Sequence, residues 1–173
     1  LAAHMLIKIV PKLDTIVDNI QVLVVGGGND FENIQKEADA VNVELGRKAV
    51  ITTGARTDIN RLVAPAELFV GVSRAALEAM AAGKPTIIAG NEGYIGLFDE
   101  DKAELAYSTN FCCRGCPGTS EETLAQDIGG FFGMWDEDKD KLSKFSREFV
   151  KQRYSVKVMA DDAEAIYKAA EKK

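Results

Sequence analysis

Residues 68–90 of the chain, LFVGVSRAALEAMAAGKPTIIAG, decide the fold. They read as a buried strand over 68–72, a small polar turn at Ser73, a helix that carries Glu78, a Gly-Lys-Pro break, and a second buried strand over 86–89. The pattern places an acidic side chain and a helix N-terminus at the carboxyl edge of a parallel sheet. Open α/β proteins bind ligands at this edge. A helix N-terminus offers free N–H groups and a positive dipole end to a phosphate.

Short apolar runs alternate with helix-length segments along the rest of the chain, which predicts strands and helices in turn. The predicted strands cover residues 22–25, 49–52, 68–72 and 86–89, with a weaker one over 106–111. The predicted helices cover an opening segment that contains residues 5–16, then 31–45, 58–62, 74–82, 120–133, 137–152 and 156–171. Because the strands are apolar on both faces, we predict an α/β protein with a doubly wound parallel sheet and helices on both faces.

Length and composition describe an ordinary globular chain. It has 173 residues, 46% of them hydrophobic and 28% charged, which predicts a single domain over 1–173. The net charge of −6 disfavours nucleic acid as a partner. No apolar run approaches the roughly 18 residues of a membrane helix, so no membrane span is expected. Three cysteines do not make a disulfide framework, and the expected location is the cytoplasm.

The first predicted strand runs into three consecutive glycines, Gly26, Gly27 and Gly28. Glycines in such a turn let the backbone approach a neighbouring strand, a helix or a phosphate. The dinucleotide fingerprint G-x-G-x-x-G would need a further glycine where Phe31 stands, so a nicotinamide cofactor is disfavoured. A tight strand-to-helix turn at a cleft between domains is the better interpretation.

The second predicted strand is followed by the loop Gly54, Ala55, Arg56, Thr57 and Asp58. One interpretation is a loop whose backbone recognises the edge of a base, with Arg56 in contact with a phosphate or the base. The alternative is a simple connection in which Thr57 or Asp58 caps the next helix.

Ser73 stands where the third strand becomes a helix. Its hydroxyl and the N–H groups of Arg74 and Ala75 fit a diphosphate, whereas a plain N-cap is the alternative. Glu78 follows about one and a half turns later, where a carboxylate can accept both hydroxyls of a ribose. A solvated glutamate is the alternative for Glu78.

Two further loops carry polar or sulfur side chains. Residues 90–96 hold three glycines with Glu92 and Tyr94, which suggests a loop near a ligand or a flexible surface loop. Cys113 and Cys116 form a C-x-x-C pair, but neither a redox motif nor a zinc site is favoured, because the chain's one histidine, His4, is far away in sequence. No metal site is therefore predicted, and no catalytic residue is identified.

The segments VLVVGGG, VITTG, AELFVGVSRAALEAMAAGKPTIIAG and GYIG together resemble the nucleotide-sugar-binding C-terminal domain of GT-B glycosyltransferases, especially the group 1 family. The resemblance covers residues 22–96 and is most specific over 73–85. It implies a Rossmann-like fold in which Glu78 binds the donor ribose, the turn at Ser73 faces the diphosphate, and the loop 54–57 lies by the base. It favours a UDP-sugar as donor and implies no metal.

The resemblance also implies what the chain lacks. The earlier Glu of the family pattern matches Val70 here, so the family's donor-sugar contacts are not carried over. The first strand of the family's domain would precede Leu1, and in the doubly wound order that strand is central. We therefore expect a fragment of a two-domain enzyme with an open seam between the strands at 22–25 and 68–72. Unpaired strand edges recruit other chains, so a homo-oligomer or a swapped pairing through the seam is expected.

These observations predict a donor-binding half of a glycosyltransferase, which binds a nucleotide sugar for transfer to an acceptor sugar or lipid-linked sugar held by an N-terminal domain. The isolated fragment is expected to bind the donor weakly and to transfer nothing. A sugar-nucleotide epimerase-like domain and a non-catalytic α/β binding module are the alternatives. Replacing Glu78 discriminates between nucleotide binding and a merely solvated carboxylate.

Overall fold

The computed structural model of the chain describes residues 2–170. This range contains five strands and eight helices, which alternate only as far as the fourth strand. The strands are β1 (Val22–Val24), β2 (Val50–Thr52), β3 (Phe69–Gly71), β4 (Thr86–Ala89) and β5 (Tyr94–Leu97). The helices are α1 (Ala2–Leu13), α2 (Phe31–Leu45), α3 (Ile59–Val63), α4 (Ser73–Ala81), α5 (Ala103–Ser108), α6 (Glu121–Phe132), α7 (Asp136–Tyr154) and α8 (Val156–Ala170). The predicted end of the last helix, residue 171, lies outside the described residues.

The strands form two small sheets. β1 pairs with β2 in parallel, with Val22 opposite Val50, and β3 pairs with β4 in parallel, with Phe69 opposite Thr86. β5 lies antiparallel to β4, with a register shift between Ile88 and Ala89. The predicted α/β class is confirmed, and β5 adds an antiparallel edge strand, which is common on otherwise parallel sheets.

The burial of strand β4 shows that helices cover both faces of its sheet. All four of its residues are buried, and successive side chains of a strand point to opposite faces. Ile87 and Ala89 belong to a core shared with α1, α2 and α6, whereas Ile88 belongs to a second core shared with α4, α5 and α7. A continuous apolar run is therefore what this position in the sheet requires.

The weak strand predicted over 106–111 is wrong. Residues 103–108 form α5, which buries only Ala103 and Ala106, and a three-residue spacing of buried positions is helical. The chain then turns sharply, because Asn110 and Phe111 both adopt left-handed backbone angles, with φ of 51° and 56°. Phe111 is fully buried at this turn, so its apolar side chain belongs to a loop and not to a strand.

The sheet is open between β1 and β3. Within residues 2–170, β1 pairs only with β2, and β3 pairs only with β4 and not with β1. Between them lies a groove of about 470 Å³, lined by side chains of α1, α3 and α6 as well as both strands. The expected open seam is present at the expected place, and it separates the carboxyl ends of β1 and β2 from those of β3 and β4.

Candidate functional site

The turns after β1 and β2 lie against each other. The N–H of Gly26 donates to the carbonyl of Gly54 at 3.1 Å. A Cβ placed on Gly27 would lie 3.2 Å from the Cβ of Ala55, tighter than ordinary side-chain packing. Glycine at position 27 is therefore what allows the two turns to meet. Gly28 adopts a φ of +132° and faces open space, so its backbone is accessible to a ligand.

Arg56 is held by a neighbour of its own loop. Its Nε and Nη2 donate to the two carboxylate oxygens of Asp58 at 2.8 and 2.7 Å. This bidentate pairing raises the pKa of Arg56 and lowers the pKa of Asp58. Asp58 stands at the N-cap position of α3 but makes no side-chain cap bond, because its carboxylate is engaged with Arg56. The guanidinium keeps further N–H donors for a phosphate or a base.

Ser73 opens α4 in an unusual conformation. Its φ is +53°, and its N–H donates to the carbonyl of Phe111 at 2.7 Å. The N-cap position belongs to Val72, and no side-chain cap bond is formed there, so Ser73 is not the N-cap. The first bond inside the helix runs from the N–H of Ala76 to the carbonyl of Val72. The N–H groups of Arg74 and Ala75 precede that bond and have no partner within the helix.

Glu78 projects from the exposed face of the same helix. The buried face of α4 carries Ala76, Ala79 and Met80. The Glu78 carboxylate is 55% exposed and lies 3.7 Å from Nε of Arg74, whose side chain is 90% exposed. An exposed pair of this kind contributes little stability, so the carboxylate is free to exchange Arg74 for another donor.

The loop over 109–116 supports the start of α4, and no sequence pattern links the two segments. Phe111 supplies the carbonyl that fixes Ser73. The loop also carries left-handed angles at Asn110, Phe111 and Cys113. A backbone carbonyl has no side-chain signature, so only the run of short and polar residues in this loop could have drawn attention to it.

The cysteines of the loop over 109–116 have a packing role and not a chemical one. Cys113 is buried, and burial raises the pKa of its thiol to about 11, which keeps it protonated and unreactive. A Cβ on Gly93 would lie 2.4 Å from the Cys113 carbonyl, so Gly93 permits close packing of the two loops. Glu92 pairs with Arg114 at 3.1 Å on the outside of this contact. The C-x-x-C pair thus closes a loop beside the site.

Tyr94 turns away from the sheet edge. Its hydroxyl donates to Oδ2 of Asp127 at 2.7 Å, and burial together with that carboxylate raises its pKa. The loop before Tyr94 is fixed by a hydrogen bond, which the Thr119 hydroxyl donates to the Gly90 carbonyl at 2.9 Å. Tyr94 therefore belongs to the packing of β5 against α6, and its interpretation as a ligand residue loses its basis.

The predicted site residues fall into two groups. One group joins the glycine turns after β1 and β2, and the other lies in the first turns of α4; no hydrogen bond or ion pair among the described residues joins them. The members of the first group are Gly27, Gly28, Gly54, Ala55 and Arg56. The members of the second are Ser73, Arg74, Ala75 and Glu78. Both groups follow the carboxyl ends of parallel strands, where α/β folds bind ligands.

The histidine of the chain, His4, lies outside both groups of predicted site residues. His4 bridges Asp30 at 2.6 Å and Glu37 at 2.8 Å, between α1 and α2. This placement gives no support to an epimerase-like set of His and carboxylates. Across the described part of the chain, no cluster of three or more His, Cys, Asp and Glu side chains is placed to hold a metal ion. None of the described helices is long and apolar enough to span a bilayer.

Comparison with known proteins identifies the relatives of this fold. The family of group 1 glycosyl transferases matches residues 2–110. The crystal structure of Anabaena Alr3699/HepE in complex with UDP is similar, with a TM-score of 0.63 at 17% sequence identity. That similarity covers 93% of this chain but 44% of the relative, so the chain spans less than half of its length. No curated protein sequence matches the chain.

Proposed function

The chain belongs to the group 1 glycosyl transferases, and from this membership we propose that it is the donor-binding half of such an enzyme. It binds a nucleotide sugar, with a UDP-sugar favoured, at the carboxyl edge of its sheet. The observation that carries this proposal is the start of α4, where free N–H groups, a hydroxyl and a carboxylate lie within two turns. The family match spans every predicted site residue, since all of them lie between 27 and 78.

The start of α4 suits a diphosphate. The N–H groups of Arg74 and Ala75 lack partners within the helix, and the positive end of the helix dipole lies at the same place. Ser73 presents a hydroxyl there, and its own N–H is already used by Phe111, which fixes the turn. Fixed donors of this kind stabilise the charge that develops on a leaving diphosphate. The helix start would therefore both hold the donor and assist departure of the nucleotide.

Glu78 suits the ribose. A carboxylate accepts hydrogen bonds from two adjacent hydroxyls, and the alanines around Glu78 leave room for a sugar ring. The loop with Gly54, Ala55 and Arg56 then lies by the base, as in the family pattern. The relative described above was crystallised with UDP, which supports uracil as the first base to test.

Transfer needs an acceptor, and the proposal assigns the acceptor sugar or lipid-linked sugar to an N-terminal domain outside this chain. No side chain of the described residues is assigned as catalytic, and no cofactor beyond the donor is proposed. We place the protein in the cytoplasm, where thiols stay reduced, in agreement with its free cysteines.

One experiment tests both which nucleotide the chain prefers and where that nucleotide binds. UDP, GDP and ADP are each titrated into the isotope-labelled chain while backbone amide signals are recorded. We expect UDP to shift the amide signals of Arg74 and Ala75 in a saturable manner, with smaller effects from the other two nucleotides. Shifts confined to residues outside 26–28, 54–58 and 73–78 would contradict the proposed site, and no shift with any nucleotide would favour a non-catalytic binding module.

A further inference from the structure

The sugar of the donor has no binding group in the proposed site, which covers only the base, the ribose and the diphosphate. The strands lie in the order β2, β1, β3, β4 and β5, with the groove between β1 and β3. The loop assigned to the base, residues 54–57, follows β2, and the helix start assigned to the diphosphate follows β3. A nucleotide sugar that lies extended along this edge therefore places its sugar near the next carboxyl end, which is that of β4.

Two loops lie beside the start of α4 at this place. A Cβ on Gly90 would lie 2.7 Å from Cγ1 of Val72, the N-cap residue of α4, so the loop over 90–93 adjoins the helix. The loop over 109–116 adjoins it as well, because one of its carbonyls accepts from the N–H of Ser73 at 2.7 Å. Both loops therefore border the helix start that is assigned to the diphosphate.

A charged pair stands on the outer side of these two loops. Nε and Nη2 of Arg114 donate to the two carboxylate oxygens of Glu92 at 3.1 and 3.3 Å. Each residue stands in a tight turn that a backbone hydrogen bond closes, across residues 90–93 for Glu92 and across residues 113–116 for Arg114. The Arg114 side chain is 78% exposed and that of Glu92 is 49% exposed. Such a pair contributes little stability, so both side chains are accessible to a ligand.

We propose that Glu92 and Arg114 bind the sugar of the donor and select a neutral hexose. This inference rests on the proposed function, because it takes the diphosphate to lie at the start of α4. A hydroxyl both donates and accepts hydrogen bonds, so two adjacent sugar hydroxyls can donate to the carboxylate and accept from the guanidinium at once. A sugar that itself carries a carboxylate is disfavoured, since Glu92 already neutralises Arg114 and repels a second negative charge.

Calorimetric titration of the whole chain with UDP, UDP-glucose and UDP-galactose tests the pair. Glu92→Gln removes the charge and keeps the shape of the side chain. We expect it to weaken binding of the UDP-hexose that the wild type prefers by about tenfold, because a hydrogen bond to a charged group contributes on that scale. Binding of UDP alone should stay unchanged. An equal loss for UDP and for the UDP-hexose, or no loss for either hexose, would overturn the inference.

Glu104→Gln is the matched control. Glu104 is also an exposed glutamate that pairs with an arginine, Arg153, at 3.0 Å. It stands in the first turn of α5, which follows β5. Because β5 runs antiparallel to β4, this helix begins near the opposite edge of the sheet. The control should leave the binding of all three ligands unchanged, and equal effects of the two substitutions would overturn the inference.

UDP-glucuronate tests the choice of a neutral sugar. We expect the wild type to bind it more weakly than UDP-glucose, and Glu92→Gln to strengthen its binding, because Arg114 then loses its carboxylate partner. Tighter binding of UDP-glucuronate than of UDP-glucose by the wild type would overturn the neutral hexose. If the wild type binds UDP but Glu92→Gln changes no sugar-dependent binding, only the sugar contact fails. If the wild type binds none of these ligands, the proposed function fails, and the sugar contact with it.

Discussion

At the scale of single residues, Ser73 is central to the candidate phosphate site. The sequence places a small polar residue between strand and helix, so the position of the candidate phosphate site was predictable. Its left-handed backbone, with φ of +53°, was not predictable, because the acceptor that fixes it is the main-chain carbonyl of Phe111. Any residue at position 111 carries such a carbonyl. Left-handed geometry costs a residue with a Cβ about 1–2 kcal/mol, and such strain is typical of ligand sites.

Ser73→Gly tests that strain. Glycine adopts a positive φ without a steric penalty, but it loses more conformational entropy on folding than serine does. We expect the net free energy of unfolding to rise by about 0.5–1 kcal/mol. Urea denaturation measures the change. Asn110→Gly is the matched control, since Asn110 has a φ of 51° in the neighbouring loop but asparagine tolerates that region, so its gain should be smaller. A lower stability of the Ser73 variant would contradict the strain.

His4 gives the molecule a pH-dependent contact. Hydrogen bonds to Asp30, first, and Glu37 raise the pKa of the imidazole above its usual value. The contact therefore contributes fully below about pH 6.5 and is lost as the pH rises through the raised pKa. At low pH the carboxylate of Asp30 also matters, because hydrogen bonds from Asn33, first, and His4 lower its pKa. The stability that the ionised Asp30 contributes is therefore lost as the pH falls below about 4.

His4→Gln isolates this contribution, because glutamine keeps hydrogen-bonding groups but does not titrate. We expect the wild type to have the higher Tm between about pH 4.5 and 6.5, and the two Tm values to converge as the pH rises through the raised pKa of His4. Calorimetric scans across this pH range provide the comparison. A Tm difference that grows towards alkaline pH would have the wrong sign for a raised pKa.

At the scale of elements, the long periodic helices and the buried parallel strands were predictable, whereas β5 and α5 were not. β5 is four residues long and follows a glycine-rich loop, so its pattern resembles a turn. It forms because Oδ2 of Asp127 on α6 accepts from the N–H of Leu97 at 3.0 Å and from the Tyr94 hydroxyl. That contact joins residues 30 or more positions apart, which a local pattern does not encode.

Gly96→Ala tests the docking of β5 on α6. A Cβ at position 96 would lie 2.6 Å from Oδ2 of Asp127, at a φ of +91°. We expect a loss of more than about 2 kcal/mol in the free energy of unfolding, because both strain and the displaced carboxylate oppose the change.

Gly130→Ala is the control for that substitution. Gly130 lies inside α6 with nothing within 4 Å of a Cβ, so alanine there should stabilise the chain by up to about 1 kcal/mol. Equal effects of the two substitutions on chemical denaturation would show that the close contact at Gly96 is unimportant.

At the scale of the whole molecule, the seam and the family pattern belong together. The chain spans 44% of the UDP-bound relative, and its sheet is open where the doubly wound order has a central strand. The place of the seam was predictable from the family resemblance. The positions of Asp18 and Glu67 in the groove lining and the exposure of Leu23 and Val25 were not predictable. They depend on how α1 and α3 pack around the opening.

Activity of the isolated chain is the corresponding prediction. Because the acceptor is assigned to another domain, we expect no sugar transfer when the chain is incubated with UDP-glucose and simple sugar acceptors. Release of UDP, followed by a coupled assay, should not exceed the rate without protein. Turnover above that rate would contradict the division of the enzyme into a donor-binding half and an acceptor-binding half.

The most direct test of the donor site is calorimetric titration of UDP into the wild type, Glu78→Gln and Glu148→Gln. Glu148 is a close match for Glu78, since it is 54% exposed and pairs with Lys151 at 3.5 Å on α7. We predict saturable binding to the wild type, at least tenfold weaker binding to the Glu78 variant, and unchanged binding to the Glu148 variant, because only Glu78 receives the ribose hydroxyls. Binding of UDP that is equal in all three proteins would contradict the assignment of the ribose to Glu78.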